Sequence, residues 1–272
     1  MRPRRDLASV EPTEQRAPHL ESCRQRGGGL EHDVGRDKGV VVLEGDRLID
    51  DALAAGFALE LVLVAERRAQ RVEDFAQRAA EVRVVDDELL DKISALSTSQ
   101  GLLALGRTPL ERTFATLRLG PEALVLIVAG ISDPGNLGAL ARSAEAAGVE
   151  AIGVVAGGTS PWNSKALRGS MGSLLRVPVV SFGDAASASD ELREHGFRQV
   201  RAATRGGSTP SSFDWDGRIA LWVGSETGAL PPVCESFERV TIPMRGAVES
   251  LNVTVAASLL LFAAGRAEDA NE

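Results

Sequence analysis

A chain of 272 residues with 44% apolar and 25% charged residues is long enough for one large or two ordinary globular domains. Its net charge of −8 argues mildly against a nucleic-acid partner, although phosphates meet a local patch rather than a total. No apolar run approaches the ~20 residues of a membrane span, and no signal-peptide segment opens the chain, so a cytoplasmic protein is expected. Cys23 and Cys234 stand in dissimilar contexts and His19, His32 and His195 are scattered, so neither a metal site nor a histidine triad is expected. The basic residues are nearly all arginine, with lysine only at 38, 92 and 165. Arginine suits bidentate phosphate contacts, but genomic base composition is the usual explanation of such a bias.

Residues 1–29 combine scattered arginines, three prolines and Gly27-Gly28-Gly29 without periodicity, which reads as a poorly ordered basic arm. From about residue 40 short elements alternate. Strands are expected at 40–43, 59–64, 82–85 and 101–105, and helices at 47–55, 72–80 and 86–96. This defines a compact α/β unit over 30–106, and the aperiodic, proline-containing stretch 107–120 reads as a linker. The second unit, 121–268, opens with the continuous apolar run 124–129, a strand buried on both faces. Helices are expected at 137–147, 165–175 and 185–194, and further strands at 151–155, 177–181, 197–203, 219–224 and 239–242. About six strands, most joined by helical crossovers, predict a doubly wound parallel sheet.

In such sheets ligands bind beyond the carboxyl ends of the strands, and three segments there are rich in polar and glycine residues. In Asn136-Leu137-Gly138-Ala139-Leu140-Ala141-Arg142, Asn136 occupies an expected helix N-cap. Arg142 follows about 9 Å further along the helix, on the face of Gly138. In Leu221-Trp222-Val223-Gly224-Ser225-Glu226-Thr227-Gly228 a strand runs into a glycine-flanked carboxylate; the glycines allow close backbone approach to a flat ligand. In Ile242-Pro243-Met244-Arg245-Gly246-Ala247-Val248-Glu249-Ser250-Leu251-Asn252-Val253 a strand end and turn lead to a polar cluster heading a helix. That helix is apolar almost all round, hence expected to be buried. Taken singly, the first and last segments are explained as well by a helix cap, and an ordinary loop is the lesser reading of the second.

Together, in this order and near the C-terminus, they resemble the three motifs of the SpoU/TrmH branch of the SPOUT RNA 2′-O-ribose methyltransferases. The resemblance covers about residues 122–268. Arg168, Ser170 and Gly172, ahead of Pro178, resemble the family's middle region. Val42-Leu43-Glu44-Gly45 and Thr98-Ser99-Gln100-Gly101 resemble the small ribosomal-protein-like substrate-binding domain often fused ahead of it. One departure is Thr227 and Ala229, where the family commonly has glycine.

The resemblance implies an α/β fold of two parts: a small ribosomal-protein-like substrate-binding domain and a C-terminal parallel-sheet SPOUT domain whose end is threaded into a deep trefoil knot. It implies S-adenosylmethionine as cofactor, with Thr204, Gly224, Ile242 and Leu251 as its contacts. The catalytic set falls on Asn136, Arg142, Glu226, Ser250 and Asn252. A homodimer and an RNA substrate are implied, ribosomal rather than transfer RNA. The alternative is a non-catalytic RNA-binding or ribosome-assembly factor that keeps the knotted cofactor fold. A nucleotide-binding enzyme of another kind is disfavoured, since no strand leads into Gly-x-Gly-x-x-Gly or a phosphate-loop lysine.

Overall fold

The computed structural model describes residues 39–108, 112–225 and 228–265. The basic arm at 1–29 and Glu226 lie outside the described residues. β1 (Val40–Glu44), α1 (Asp46–Ala54), β2 (Leu59–Ala65), α2 (Val72–Phe75), β3 (Ala79–Val85), α3 (Asp87–Ile93) and β4 (Leu102–Arg107) make the first unit. Its sheet runs β1-β4-β2-β3, with β4 antiparallel to both neighbours and β2 parallel to β3. The helix expected at 72–80 is a single turn, and β3 begins earlier than expected. The apolar residues there fit a helical period, but from Ala79 the chain gains a full ladder with β2, and pairing prevails over the local pattern.

The second unit is a six-stranded parallel sheet in the order β10-β8-β9-β5-β6-β7. Its strands are β5 (Leu124–Ala129), β6 (Ala151–Val155), β7 (Val179–Phe182), β8 (Arg198–Ala203), β9 (Ile219–Val223) and β10 (Glu238–Thr241). Every residue of β5 is buried, as expected of a central strand covered on both faces. One face carries α4 (Pro134–Ala146), α5 (Ser164–Gly169), α6 (Ser173–Arg176) and α8 (Val253–Ala264). The other carries α7 (Ala185–Glu194) and the turn holding Cys234, whose thiol burial pushes up to about 12 despite the nearby charge of Arg201. The stretch expected as a linker is anchored there too: Phe114 is buried between Phe182 and Phe197.

Two further expectations about helices fail. The helix expected at 165–175 breaks into α5 and α6, because Met171 (φ 51°) and Gly172 (φ 88°) take the left-handed conformation. Gly172 is favoured there by its positive φ, and with no Cβ it leaves room for Asp51 Oδ2 of the first unit, which stands 2.2 Å from where a Cβ would lie. The last helix, α8, is buried only through Ala257, Leu260, Leu261 and Ala264. Val255, Leu259 and Phe262, at i, i+4 and i+7, are 48%, 49% and 59% exposed. Apolarity all round shows that a helix avoids water, and the single chain supplies cover for one face only.

The two units share one apolar core, closed by an edge-on contact of Phe57 with Trp162 at 5.8 Å. Beside it Arg176 donates to Glu145 at 2.6 and 2.8 Å and to Asp51 at 3.2 Å, and Ser173 Oγ donates to Glu145 at 2.6 Å. Arg176 holds the Glu145 carboxyl below the usual carboxylate range, against the opposing effect of partial burial. A carboxyl depressed on folding stabilises fully above its unfolded value of about 4.3, and that stability is lost as pH falls through the folded value. Glu145→Gln should therefore cost about 1 kcal/mol at pH 7, the half-exposed setting discounting the pair. The gap to wild type should be full above about pH 5 and narrow as pH falls below the unfolded value of about 4.3 in urea titrations. A gap that does not narrow at all with falling pH would contradict this.

Candidate active site

Because β8, β9 and β10 are parallel, their carboxyl ends lie at the same end of the sheet. Thr204 follows β8, Gly224 follows β9 and Ile242 follows β10. These residues, with Ser250, Leu251 and the first two turns of α8, line a cavity of about 220 Å³. That is just under the ~300–1,000 Å³ common for small-molecule clefts. Its walls combine apolar side chains such as Val223, Val240 and Leu260 with the hydroxyl residues Thr204, Ser225 and Ser250. Among the described residues no charged side chain lines it.

Gly224 has a reason the sequence did not disclose. A Cβ there would stand 2.2 Å from the carbonyl oxygen of Ala229, so the space is filled by the chain's own loop rather than by a ligand. That loop is closed by Ser225 N–H donating to Ala229 O at 3.1 Å and Gly228 N–H donating to Ser225 O at 2.8 Å. Gly228 is needed for its φ of 78°. Ser225 and Gly228 flank the position of Glu226.

Asn136 is not the N-cap expected of it. Asp133 caps α4, accepting from Gly135 N–H at 3.0 Å with Pro134 in the first turn, and Asn136 lies inside the helix. The N-cap is Asn252, whose Oδ1 accepts from Thr254 N–H at 2.9 Å and Val255 N–H at 3.4 Å at the head of α8. The same side chain donates through Nδ2 to Asn136 Oδ1 at 3.5 Å, while Thr254 Oγ1 donates to Asn136 O at 3.4 Å. Capping and contact between motifs are one arrangement here. The first and third motifs meet where α4 packs on α8, held further along by Ser258 Oγ donating to Ser143 Oγ at 2.7 Å.

Arg142 lies outside the cavity. It is exposed, two turns along α4 from the Asn136–Asn252 contact, and makes no ion pair or hydrogen bond within the described residues. The fold thus gathers Thr204, Gly224, Ile242, Ser250 and Leu251 around one cavity and joins Asn136 to Asn252 at its edge. Met244, Val253, Ala256 and Ala257 also line it and were not singled out in the sequence. Met244 sits within the last motif, and the small pair Ala256-Ala257 marks the helix face that approaches the sheet.

Residues 123–262 match the model of the SpoU rRNA methylase family, and residues 35–104 match that of the MRM3-like substrate-binding domain. The chain is 34% identical over 211 residues to the 23S rRNA (guanosine-2′-O-)-methyltransferase RlmB of Xanthomonas axonopodis, covering 73% of this chain and 83% of that protein. It is 29% identical over 223 residues to the 23S rRNA (guanosine(2553)-2′-O)-methyltransferase RlmP of Bacillus subtilis, covering 81% and 86%. A crystal structure of an RNA 2′-O ribose methyltransferase superposes with a TM-score of 0.72 at 32% identity, covering 93% of this chain and 96% of that one. The AdoMet complex of the SpoU methyltransferase AviRb from Streptomyces viridochromogenes shares the fold, with a TM-score of 0.80 at 24% identity and coverage of 92% and 97%. A parallel-sheet fold with a cavity at its strand ends and a substrate-binding unit ahead of it defines a two-domain methyltransferase. The chain belongs to the SpoU rRNA methylase family.

Proposed function

We propose that the protein transfers a methyl group from S-adenosylmethionine to a ribose 2′-hydroxyl of RNA, ribosomal in preference to transfer RNA. The observation that carries this reading is the cavity at the ends of β8, β9 and β10, with the Asn136–Asn252 contact at its edge. Its apolar walls suit a purine, and the loop residues Ile242, Met244, Ser250 and Leu251 bring backbone groups that no strand ladder occupies. The donor, when bound, supplies an electrophilic methyl group on a sulfonium. Thr204, Gly224, Ile242 and Leu251 hold it; Ser250, Asn136 and Asn252 shape the side facing the substrate.

A ribose hydroxyl must lose its proton as it attacks. The Arg142 guanidinium is far too weak an acid to be a neutral base, so its role is to stabilise the negative oxygen and an adjacent substrate phosphate, which takes the proton. Glu226 orients that guanidinium. On this reading residues 30–106 select the RNA, 107–120 connect, and 121–268 carry the knotted catalytic domain. The protein acts in the cytoplasm; among the described residues no helix is long and apolar enough to cross a membrane.

The exposed face of α8 fits a second copy of the chain. Val255, Leu259 and Phe262 form one stripe beginning beside Asn252, and a two-fold contact would bury it against itself. The double variant Leu259→Glu/Phe262→Glu is expected to sediment as a monomer and to lose methyl transfer, with an unchanged circular-dichroism spectrum. A dimer that survives both charges would refute this interface.

The reaction is tested by incubating the protein with labelled S-adenosylmethionine and deproteinised large-subunit RNA or transfer RNA, then mapping 2′-O-methyl nucleotides. Labelling of ribosomal RNA at a single ribose is expected. Donor binding without transfer to either RNA would instead indicate an assembly factor.

A further inference from the structure

Among the described residues, three polar side-chain atoms are buried without a hydrogen-bond partner: Gln199 Oε1, Arg201 Nε and Trp222 Nε1. They belong to one patch. Gln199 and Arg201 are alternate residues of β8, so their side chains leave the same face, and Trp222 of β9 stands in register with Arg201. On the other side of β8 the residue in register with Arg201 is Arg239 of β10. The face they share is the one that carries α7. Gln199 Nε2 donates there to Ser189 O at 3.1 Å, and the rings of Trp222 and Phe237 lie 5.4 Å apart.

Two arginines therefore leave neighbouring strands, about 4.8 Å apart, on one face of the sheet. Like charges facing each other across a ladder are destabilising. Neither side chain makes an ion pair, a hydrogen bond or a ring contact within the described residues that would offset this. Arg201 is half-buried, with its Nε inside, whereas Arg239 is exposed. Glu238, one residue before Arg239, leaves the opposite face, where Arg198 donates to it at 3.2 Å. Glu235, beside Cys234, is exposed and pairs with neither arginine. Arg205, just past β8, is a third exposed cation without an ion pair among the described residues. Arg239 extends toward it, since a Cβ on Gly206 would lie 3.5 Å from Arg239 Nη1.

Ala202 and Val240, each one residue on from an arginine of this pair, line the cavity at the strand ends. The pair thus stands on the reverse of the cavity wall, one sheet thickness from the proposed site of methyl transfer. A guanidinium fork takes two phosphate oxygens at once, and a phosphodiester brings the negative charge that the pair lacks. We propose that Arg201 and Arg239, with Arg205 at the rim, hold a backbone phosphate of the substrate RNA beside β10. The proposal rests on the RNA-methylation reading. It makes the three arginines positioning groups, which fix the RNA relative to the cavity without touching the reacting atoms.

The test measures binding of a fluorescent single-stranded 12-nucleotide RNA of mixed sequence between 50 and 200 mM salt, for wild type, Arg201→Gln and Arg239→Gln. Arg193→Gln is the control, because Arg193 is paired with Asp190 on α7. Arg201→Gln and Arg239→Gln should each lower affinity at least threefold, with S-adenosylmethionine binding unchanged. Each should also make the slope of log affinity against log salt shallower by about 0.7, the value for one lost phosphate contact on a single strand. Arg239→Gln should melt no lower than wild type, since it removes one of two facing like charges. If Arg201→Gln misfolds, as circular dichroism would show, the exposed Arg239 carries the test. An unchanged slope for Arg239→Gln, or a lowered melting temperature that marks a structural role, overturns the proposal. So does stabilisation of wild type but not Arg239→Gln by inorganic phosphate at matched ionic strength while the two RNA slopes agree, which would mark a site for the free ion. Failure of the wild type to methylate RNA while the slopes differ would refute the enzymatic reading and leave the phosphate site standing.

Discussion

Gly138→Ala is expected to lower the melting temperature by roughly 5–10 °C, the equivalent of about 2–3 kcal/mol of overpacking. The added Cβ would sit 2.5 Å from Ala166 O and 2.8 Å from Ser170 N, closer than real Cβ atoms come to any neighbour. Both obstacles are backbone, so no side chain can swing aside and α4 must move off α5. Calorimetry gives the check, with Gly183→Ala as control, since a Cβ there meets nothing within 4 Å. Because α4 also carries Asn136 and Arg142, methyl transfer should fall in the surviving folded protein. A melting temperature within 2 °C of wild type would mean that the two helices are not in the close contact described.

Arg142→Ala is expected to reduce kcat by ~10²–10³-fold with donor binding unchanged, the loss typical of removing one group that stabilises a developing negative oxygen. Its stability should barely change, since Arg142 is exposed and bonds to nothing within the described residues. Lysine should not restore the rate, because a point charge cannot replace a planar fork that faces two oxygens at once. Single-turnover methylation of ribosomal RNA gives the rate; a loss of less than tenfold would remove Arg142 from the chemistry.

The sheet was largely legible in the sequence. The run 124–129 is continuously apolar and proves to be a strand buried at every position, and the bounds of α7 agree with the pattern at 185–194. Legibility failed where the deciding partner was distant in sequence. Nothing near Gly172 reveals that Asp51, from the other unit, occupies the space of a Cβ, so the break between α5 and α6 reads as continuous helix. Likewise, nothing within 221–228 shows that Ala229 fills the place of a Gly224 side chain. Asn136 passes for a cap until Pro134 is seen to begin the helix two residues earlier. The apolar circumference of α8 was visible, but which of its faces the chain itself covers was not. The joining of Asn136 to Asn252 across more than a hundred residues came only through family resemblance and then through the fold.

The cavity's position has a consequence for synthesis. Its described walls come from residues 202–204, 223–225, 228, 240–244 and 250–260, whereas β1–β7 and α1–α7 all precede position 198. A nascent chain emerging from the ribosome can therefore assemble its RNA-facing unit and half of its large sheet while it still has nowhere to hold a methyl donor. Competence arrives late and in one step, when α8 docks. A chain released before that point would retain the surfaces that meet RNA and would compete for it as an inert ligand.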